Sequence, residues 1–183
     1  PALLEFARAV TQDSTGNRLL AGLFGGSPFL GECLLAEMGF ARLLLEEGPK
    51  VALARVVGEV AALDGVDDED ALRRGLRIGR RRTALTVALG DIVGLWPLDR
   101  VTGAITAFAE QAVTLAVRHL LREAAAAGHL VLPHPDDPDR DCGYFVLGMG
   151  KLGARELNYS SDIDLIVLFD EARVRYVGRE DAT

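Results

Sequence analysis

Lysine is nearly missing from this chain of 183 residues: only Lys50 and Lys151 occur among its 20 basic side chains. Cysteine and tryptophan are as sparse, at two and one. Cys33 and Cys142 lie far apart without metal-ligand spacing, and His119, His129 and His134 have no cysteine neighbours. That spacing argues against a zinc site, and two distant thiols point to a cytoplasmic protein with reduced cysteines. No stretch approaches 18 consecutive apolar residues, which excludes a membrane-spanning helix. Positive charge is in deficit too. The net charge is −7, whereas a general nucleic-acid binder needs a cationic face to displace counterions from phosphates.

What is present describes a folded domain. The chain is 49% hydrophobic and 26% charged, near the averages for globular proteins, and long enough to bury a sizeable core. It begins without methionine and stops at Arg179-Glu180-Asp181-Ala182-Thr183, directly after a strand-like run. A fragment of a longer protein is expected.

Up to about residue 130 the apolar residues recur at helical spacing. Ser27-Pro28 is a good N-cap and N1 pair for a helix carrying Phe29, Leu30, Leu34 and Leu35 on one side. That pattern continues through Leu43–Leu45 and ends at Gly48-Pro49. Val51–Leu63 reads as a second helix, closed by Asp64-Gly65. Asp67-Asp68-Glu69-Asp70 sets acids in the first turn of the next, which runs to Ile92 and bears Arg73, Arg74, Arg77, Arg80, Arg81 and Arg82. These arginines are expected to be solvated or paired with Asp67–Asp70. A last long helix spans about Leu98–Ala127, with Ile105, Phe108, Ala112, Leu115, Ala116 and Leu120 on its apolar side. Trp96 and His119 are expected to pack structurally.

After Gly128 the pattern changes. Pro133–Asp139 is a loop, Tyr144–Leu147 a short strand, and Ile163–Phe169 a second one. The fold class is α+β: a helical region over 1–130, then the opening of a sheet domain over 131–183.

Gly148-Met149-Gly150-Lys151-Leu152-Gly153 matches G-x-G-x-x-G, but no crossover helix fits in the eight residues between Gly153 and Asp162. A P-loop needs Gly-Lys-Ser/Thr, and here Gly153 is followed by Ala154. A phosphate cradle with Lys151 as a point charge, and a plain tight turn with Lys151 in solvent, both fit the glycines alone. Asp162 and Asp164, one residue apart on the predicted strand, share a face. Ile166 and Leu168 continue that face while Ile163, Leu165, Val167 and Phe169 fill the other, as in a buried strand. Two like charges at its mouth need a compensating cation, for which Mg²⁺ is the natural candidate. Two acids facing water at an exposed strand end are the alternative.

The whole string from Gly148 to Ile166, Gly-Met-Gly-Lys-Leu-Gly-Ala-Arg-Glu-Leu-Asn-Tyr-Ser-Ser-Asp-Ile-Asp-Leu-Ile, resembles the signature of the glutamine synthetase adenylyltransferase family. The resemblance covers most of the chain and is strongest over residues 144–169. It implies a nucleotidyltransferase-type, polymerase-β-like mixed sheet. Of the family's two such domains, Asn158, Ser161 and Ile163 match the N-terminal, adenylyl-removing one. Ser27-Pro28-Phe29-Leu30 and Asp91-Ile92-Val93-Gly94-Leu95 look like that half's upstream region.

The resemblance implies phosphorolysis of AMP from a tyrosine of glutamine synthetase, yielding ADP, while the other half attaches AMP from ATP. Asp162 and Asp164 would be catalytic and hold Mg²⁺. Gly148, Gly150, Lys151 and Gly153 would meet the phosphates, with Ser161 a polar neighbour of the metal pair. Glu156 fits the family string without a role derivable from the residues; the plain structural reading is a cap on the short helical turn before Asn158. The signal protein PII is an implied partner. The superfamily's third carboxylate sits on a later strand, and neither Asp170, Glu171, Glu180 nor Asp181 is placed like it. It is expected beyond Thr183, leaving this stretch alone inactive. The alternatives are the adenylyl-attaching domain and a non-catalytic helical docking module.

Overall fold

Local capping chemistry and glycine stops set the helix order. The computed structural model describes residues 2–177; the acids Glu180 and Asp181 lie outside the described residues. Seven helices come first: α1 (Ala2–Gln12), α2 (Ser14–Gly26), α3 (Pro28–Ala36), α4 (Met38–Glu47), α5 (Pro49–Ala61), α6 (Glu69–Ile92) and α7 (Leu98–Ala126). Ser27 Oγ accepts from the Leu30 N–H at 3.3 Å with Pro28 in the first turn, as its sequence predicts. Asp68 caps α6 by accepting from the Asp70 N–H at 3.0 Å. Gly48, at φ 84°, stops α4 immediately before Pro49 opens α5.

Helices α3 to α7 pack around an apolar cluster that includes Phe40, Leu44, Val56, Val60, Leu85 and Leu115, and a second cluster gathers Val87, Trp96 and Val101. Close approach of α6 depends on small residues. A Cβ on Gly79 would lie 2.7 Å from Val60 Cγ2 and 3.0 Å from Phe108. Trp96 lies buried in the turn after α6, against Gly90, with the Arg100 guanidinium 4.5 Å from its ring centroid. Buried His119 holds the Val66 carbonyl at 3.1 Å through Nδ1. Both expectations of a packing role stand.

The single helix expected from Pro28 to Leu45 is two, broken at Glu37. The cause is tertiary. Glu37 is buried, and its carboxylate is gripped by Arg81 (2.6 Å) and Arg82 (2.8 Å) of α6. Arg82 also reaches Glu59 of α5 at 2.5 Å. The arginine series therefore divides: Arg73 and Arg74 pair with Glu69 and Asp68 as expected, while Arg81 and Arg82 turn inward. Of the predicted apolar side of α7, Leu115 is buried but Leu120 is exposed.

The remainder is two antiparallel ladders. Strand β2 (Tyr144–Gly148) pairs with β3 (Leu165–Phe169), Gly148 facing Leu165 and Tyr144 facing Phe169. Two short strands form the second ladder: β4 (Arg175–Tyr176), in the strand-like run before Arg179, and β1 (Leu130–Val131), which the sequence did not suggest. One-turn helix α8 (Gly150–Gly153) links β2 to the segment leading into β3. The chain is thus α+β. β3 is not buried, however: Leu165 to Phe169 are 39–61% exposed, on both faces. Among the described residues β3 contacts β2 alone, so its apolar alternation finds no cover there. No helix among them is long and apolar enough to cross a membrane.

Burial alone would raise the Glu59 carboxyl, but hydrogen bonds from Arg55 and Arg82 outweigh it and hold it below the ordinary carboxylate range. Its contribution to stability is present above the unfolded carboxylate pKa and is lost as pH falls through the lowered folded value, a loss that acid titration of the unfolding free energy reads directly. Glu37→Gln, leaving two inward guanidinium groups short of a partner, should lower stability by about 3 kcal/mol in urea denaturation. Glu46→Gln, which removes the exposed Arg42–Glu46 pair and leaves Arg42 over the Phe6 ring, should change it by less than about 0.5 kcal/mol.

Candidate functional site

The glycine string forms the turn between β2 and α8, and its three glycines are needed for different reasons. Gly150 adopts φ 53°, a left-handed conformation that opens α8. A Cβ on Gly153 would run into the Gly148 carbonyl oxygen, and one on Gly148 would lie 2.8 Å from the Leu152 side chain. Leu152 is buried and pins this turn to the rest of the fold. The turn closes as the Ala154 N–H donates to the Gly150 carbonyl (2.9 Å) and the Glu156 N–H to that of Lys151 (2.8 Å). Glu156 thus closes the turn with its backbone. Its side chain makes no hydrogen bond among the described residues. Lys151 is exposed beside it.

The Asp pair precedes the strand instead of lying on it. Asp162, Ile163 and Asp164 run through irregular backbone, and the ladder starts at Leu165. The reason is register: opposite Asp164 the partner strand has already turned away into α8, leaving only the Met149 N–H donating to the Asp164 carbonyl at 2.9 Å. Asp164 nonetheless faces the glycine turn. Its Oδ2 would lie 3.7 Å from a Cβ built on Gly150. Both carboxylates are exposed, and neither forms an ion pair among the described residues.

The segment leading to them is fastened to the helices at every second residue. Arg155 pairs with Glu110 of α7 at 3.3 Å. The Leu157 N–H donates to the Thr106 hydroxyl of α7 at 3.4 Å, with both residues buried. The Tyr159 hydroxyl donates to Asp91, near the end of α6, at 3.4 Å. Burial, then the Asp91 charge and hydrogen bond, push the Tyr159 phenol up, so it stays a neutral donor. Ser161 closes the segment: its hydroxyl donates to Asn158 Oδ1 at 2.8 Å and accepts from the Asn158 N–H at 3.1 Å. Asn158, Ser161 and Asp162 then line a cavity of about 510 Å³, walled on its other sides by α3, α6 and α7.

Comparison with known proteins agrees with this reading of the string. The family model described as glutamate-ammonia ligase adenylyltransferase matches residues 18–183. The chain belongs to that family. A bifunctional glutamine synthetase adenylyltransferase/adenylyl-removing enzyme of Bradyrhizobium diazoefficiens is 43% identical over 93% of this chain and 17% of its own length. The proteins of the same name from Xanthobacter autotrophicus and Brucella suis biovar 1 are 43% and 40% identical, over 83% and 84% of this chain and 15% and 16% of theirs. The chain therefore spans about a sixth of the length of these relatives. No solved structure matches.

In this member of the adenylyltransferase family, the donor set suits a hard divalent cation only in part. Two free carboxylates are close in sequence and exposed, as a magnesium site requires. No group of three His, Cys, Asp or Glu side chains that could hold a metal occurs among the described residues. Asp170, at the far end of β3, is engaged elsewhere: Oδ1 accepts from the Ala172 N–H at 3.0 Å and Oδ2 pairs with Arg173 at 3.4 Å. The fold brings together Gly148, Gly150, Gly153, Lys151, Ser161, Asp162 and Asp164 within one hairpin. Sequence reasoning gave no role to Asp91, Thr106 or Tyr159, which hold that hairpin's leading segment. Tyr159 lay within the string and Asp91 headed Asp91–Leu95, but nothing local marked Thr106.

The roles of the glycines separate in a stability series. Gly153→Ala should lower the melting temperature well beyond Gly150→Ala, because the first forces backbone apart while the second strains one φ by about 1 kcal/mol. Thermal unfolding of the two variants checks the order.

Proposed function

We propose that this chain is part of the adenylyl-removing half of its enzyme, opening a nucleotidyltransferase domain whose reaction is phosphorolysis of an adenylylated tyrosine on glutamine synthetase. The observation that carries the reading is Asp164 set against the glycine turn, with Asp162 two residues before it on the lining of the cavity walled by α3, α6 and α7. The names of its relatives supply the substrate.

In that reaction an oxygen of inorganic phosphate forms a bond to the AMP phosphorus, and the bond from phosphorus to the tyrosine oxygen breaks. ADP is released, and the departing phenolate takes the proton that phosphate loses. Such in-line displacement needs positioning and charge neutralisation more than covalent help. Asp162 and Asp164 are the residues that would hold magnesium, which when bound neutralises charge on the phosphoryl oxygens. Lys151 offers a further positive charge beside the turn of Gly148, Gly150 and Gly153. Ser161 orders the backbone immediately before Asp162 through its two bonds with Asn158. On this reading residues 1–130 would belong to the helical region and 131–183 to the opening of the sheet domain. The apolar faces of β3 are those of an inner strand in a larger sheet. The full-length enzyme would also attach AMP from ATP, and PII would be a regulatory partner in the cytoplasm.

The test uses the full-length protein with adenylylated glutamine synthetase, magnesium and phosphate. ADP release should require phosphate and fall by at least about a hundredfold in Asp162→Asn, the scale of losing a group that stabilises transition-state charge. Transfer from ATP to the unmodified synthetase that is lost in Asp162→Asn while phosphate-dependent ADP release persists would assign this segment to the attaching half. Activity indifferent to Asp162 in both directions would make the region a docking module.

A further inference from the structure

The wall of the cavity beside Asp162 carries a polar group that the fold leaves unused, closed off from solvent between this cavity and a smaller apolar one. Thr83 of α6 lines it, is 3% exposed, and its hydroxyl has no hydrogen-bond partner. Several other helical threonines satisfy theirs locally, and buried Thr106 is engaged by the Leu157 N–H. Thr86 and Thr114 donate to the carbonyls four residues back at 2.8 and 3.0 Å, and Thr102 to the one three back at 3.4 Å. A buried hydroxyl left unpaired is unfavourable and calls for an explanation.

The surrounding surface indicates what would satisfy it. Phe29, Ile105, Phe108 and Ile163 present apolar faces, and Ala84 and Ala112 leave width between them. About 510 Å³ is within the range of small-molecule sites and admits a flat bicyclic ring. Arg80 stands at the same cavity with its guanidinium 5.6 Å from the Phe29 ring centroid, and it has no carboxylate partner among the described residues. An apolar slot with an unpaired hydroxyl in its wall, which a side-chain rotation would present, a free cation at its edge and Asp162 and Ser161 on its lining suits an aromatic ring that carries phosphate.

We propose that this cavity seats the adenine of the adenylyl group, with Thr83 Oγ1 bonding an edge of the base and Arg80 facing the phosphates. The inference rests on the phosphorolysis reading and adds to it a base-binding wall supplied by helices α3, α6 and α7. Thr83 and Arg80 contribute to nucleotide binding, and the ring is held between apolar side chains as stacked bases are.

The experiment irradiates the full-length protein with ADP carrying an azide on its adenine ring, in the presence of magnesium. Label is expected in peptides from residues 69–92 or 98–126 and should be suppressed by excess ADP. Thr83→Val keeps the shape but removes the hydroxyl. It should weaken ADP binding about five- to tenfold while holding or raising the melting temperature, since an unsatisfied buried group is gone. A merely structural Thr83 would move the melting temperature alone. Ala112→Phe, verified as folded by circular dichroism, should abolish the labelling by filling the slot. Label confined elsewhere, together with unchanged ADP affinity in Thr83→Val, overturns the seat, including the case where the substrate tyrosine ring occupies it. If Asp162→Asn still abolishes phosphate-dependent ADP release in that case, phosphorolysis stands without the seat. A wild-type protein that releases no ADP overturns phosphorolysis, and the seat with it.

Discussion

Arg82 occupies the position on which the helical region depends. Its guanidinium spans two carboxylates from different elements, Glu37 between α3 and α4 and Glu59 of α5, and its plane lies 5.2 Å from the Phe40 ring centroid. Burial would lower its pKa, but the two carboxylates raise it, so the charge is permanent and the cluster cannot relax by losing a proton. Such a cluster is a poor source of net stability, because desolvation offsets the attraction. Its value is in fixing one arrangement. With α6 held against three neighbours, the residue after Arg82 is Thr83, and the same helix carries Asp91 further along. Both then face what the rest of the chain brings to them.

What it brings is a hairpin that does not hold its carboxylates unaided. β2 and β3 form a two-stranded ladder, and isolated ladders of that size are marginal in water. The connecting segment gains its order from outside, through Glu110, Thr106 and Asp91 on two helices. Each contact is modest and two are long, yet together with buried Leu152 and Leu157 they leave the backbone little freedom before Asp162. The placement of the Asp pair is therefore a property of the helical region as much as of the glycine turn. This is why residues far from the signature belong to the site.

The elements most legible in the sequence were those determined locally. Ser27-Pro28, Gly48-Pro49 and the acids before α6 declare helix ends through backbone chemistry confined to a few residues. The break at Glu37 was not legible, since Ala36-Glu37-Met38 consists of good helix formers and the disruption comes from arginines 44 and 45 positions away. The start of β3 failed for a similar reason. Ile163 favours a strand as strongly as Leu165 does, but a ladder needs a partner, and the partner turns off at Gly148. Apolar residues on both faces of β3 were read as burial, although a pattern can only record what a strand is suited to pack against. The Asp91–Tyr159 bond joins residues 68 apart and has no periodic signature.

The G-x-G-x-x-G string is the instructive case, because the same letters serve several chemistries. In a dinucleotide site its glycines allow a tight turn, an approach to pyrophosphate and close packing of a long helix. Here the helix is a single turn, and two of the three glycines are explained without any ligand. Gly148 makes room for Leu152, and Gly153 makes room for the Gly148 carbonyl. Gly150 has ordinary contact distance to Asp164, the nearest group in the direction of its missing side chain, and what it supplies is the left-handed φ of 53°. Packing thus accounts for the outer glycines and backbone conformation for the middle one. A search for this site should therefore weight the string together with the Asp pair, since the turn alone explains each glycine.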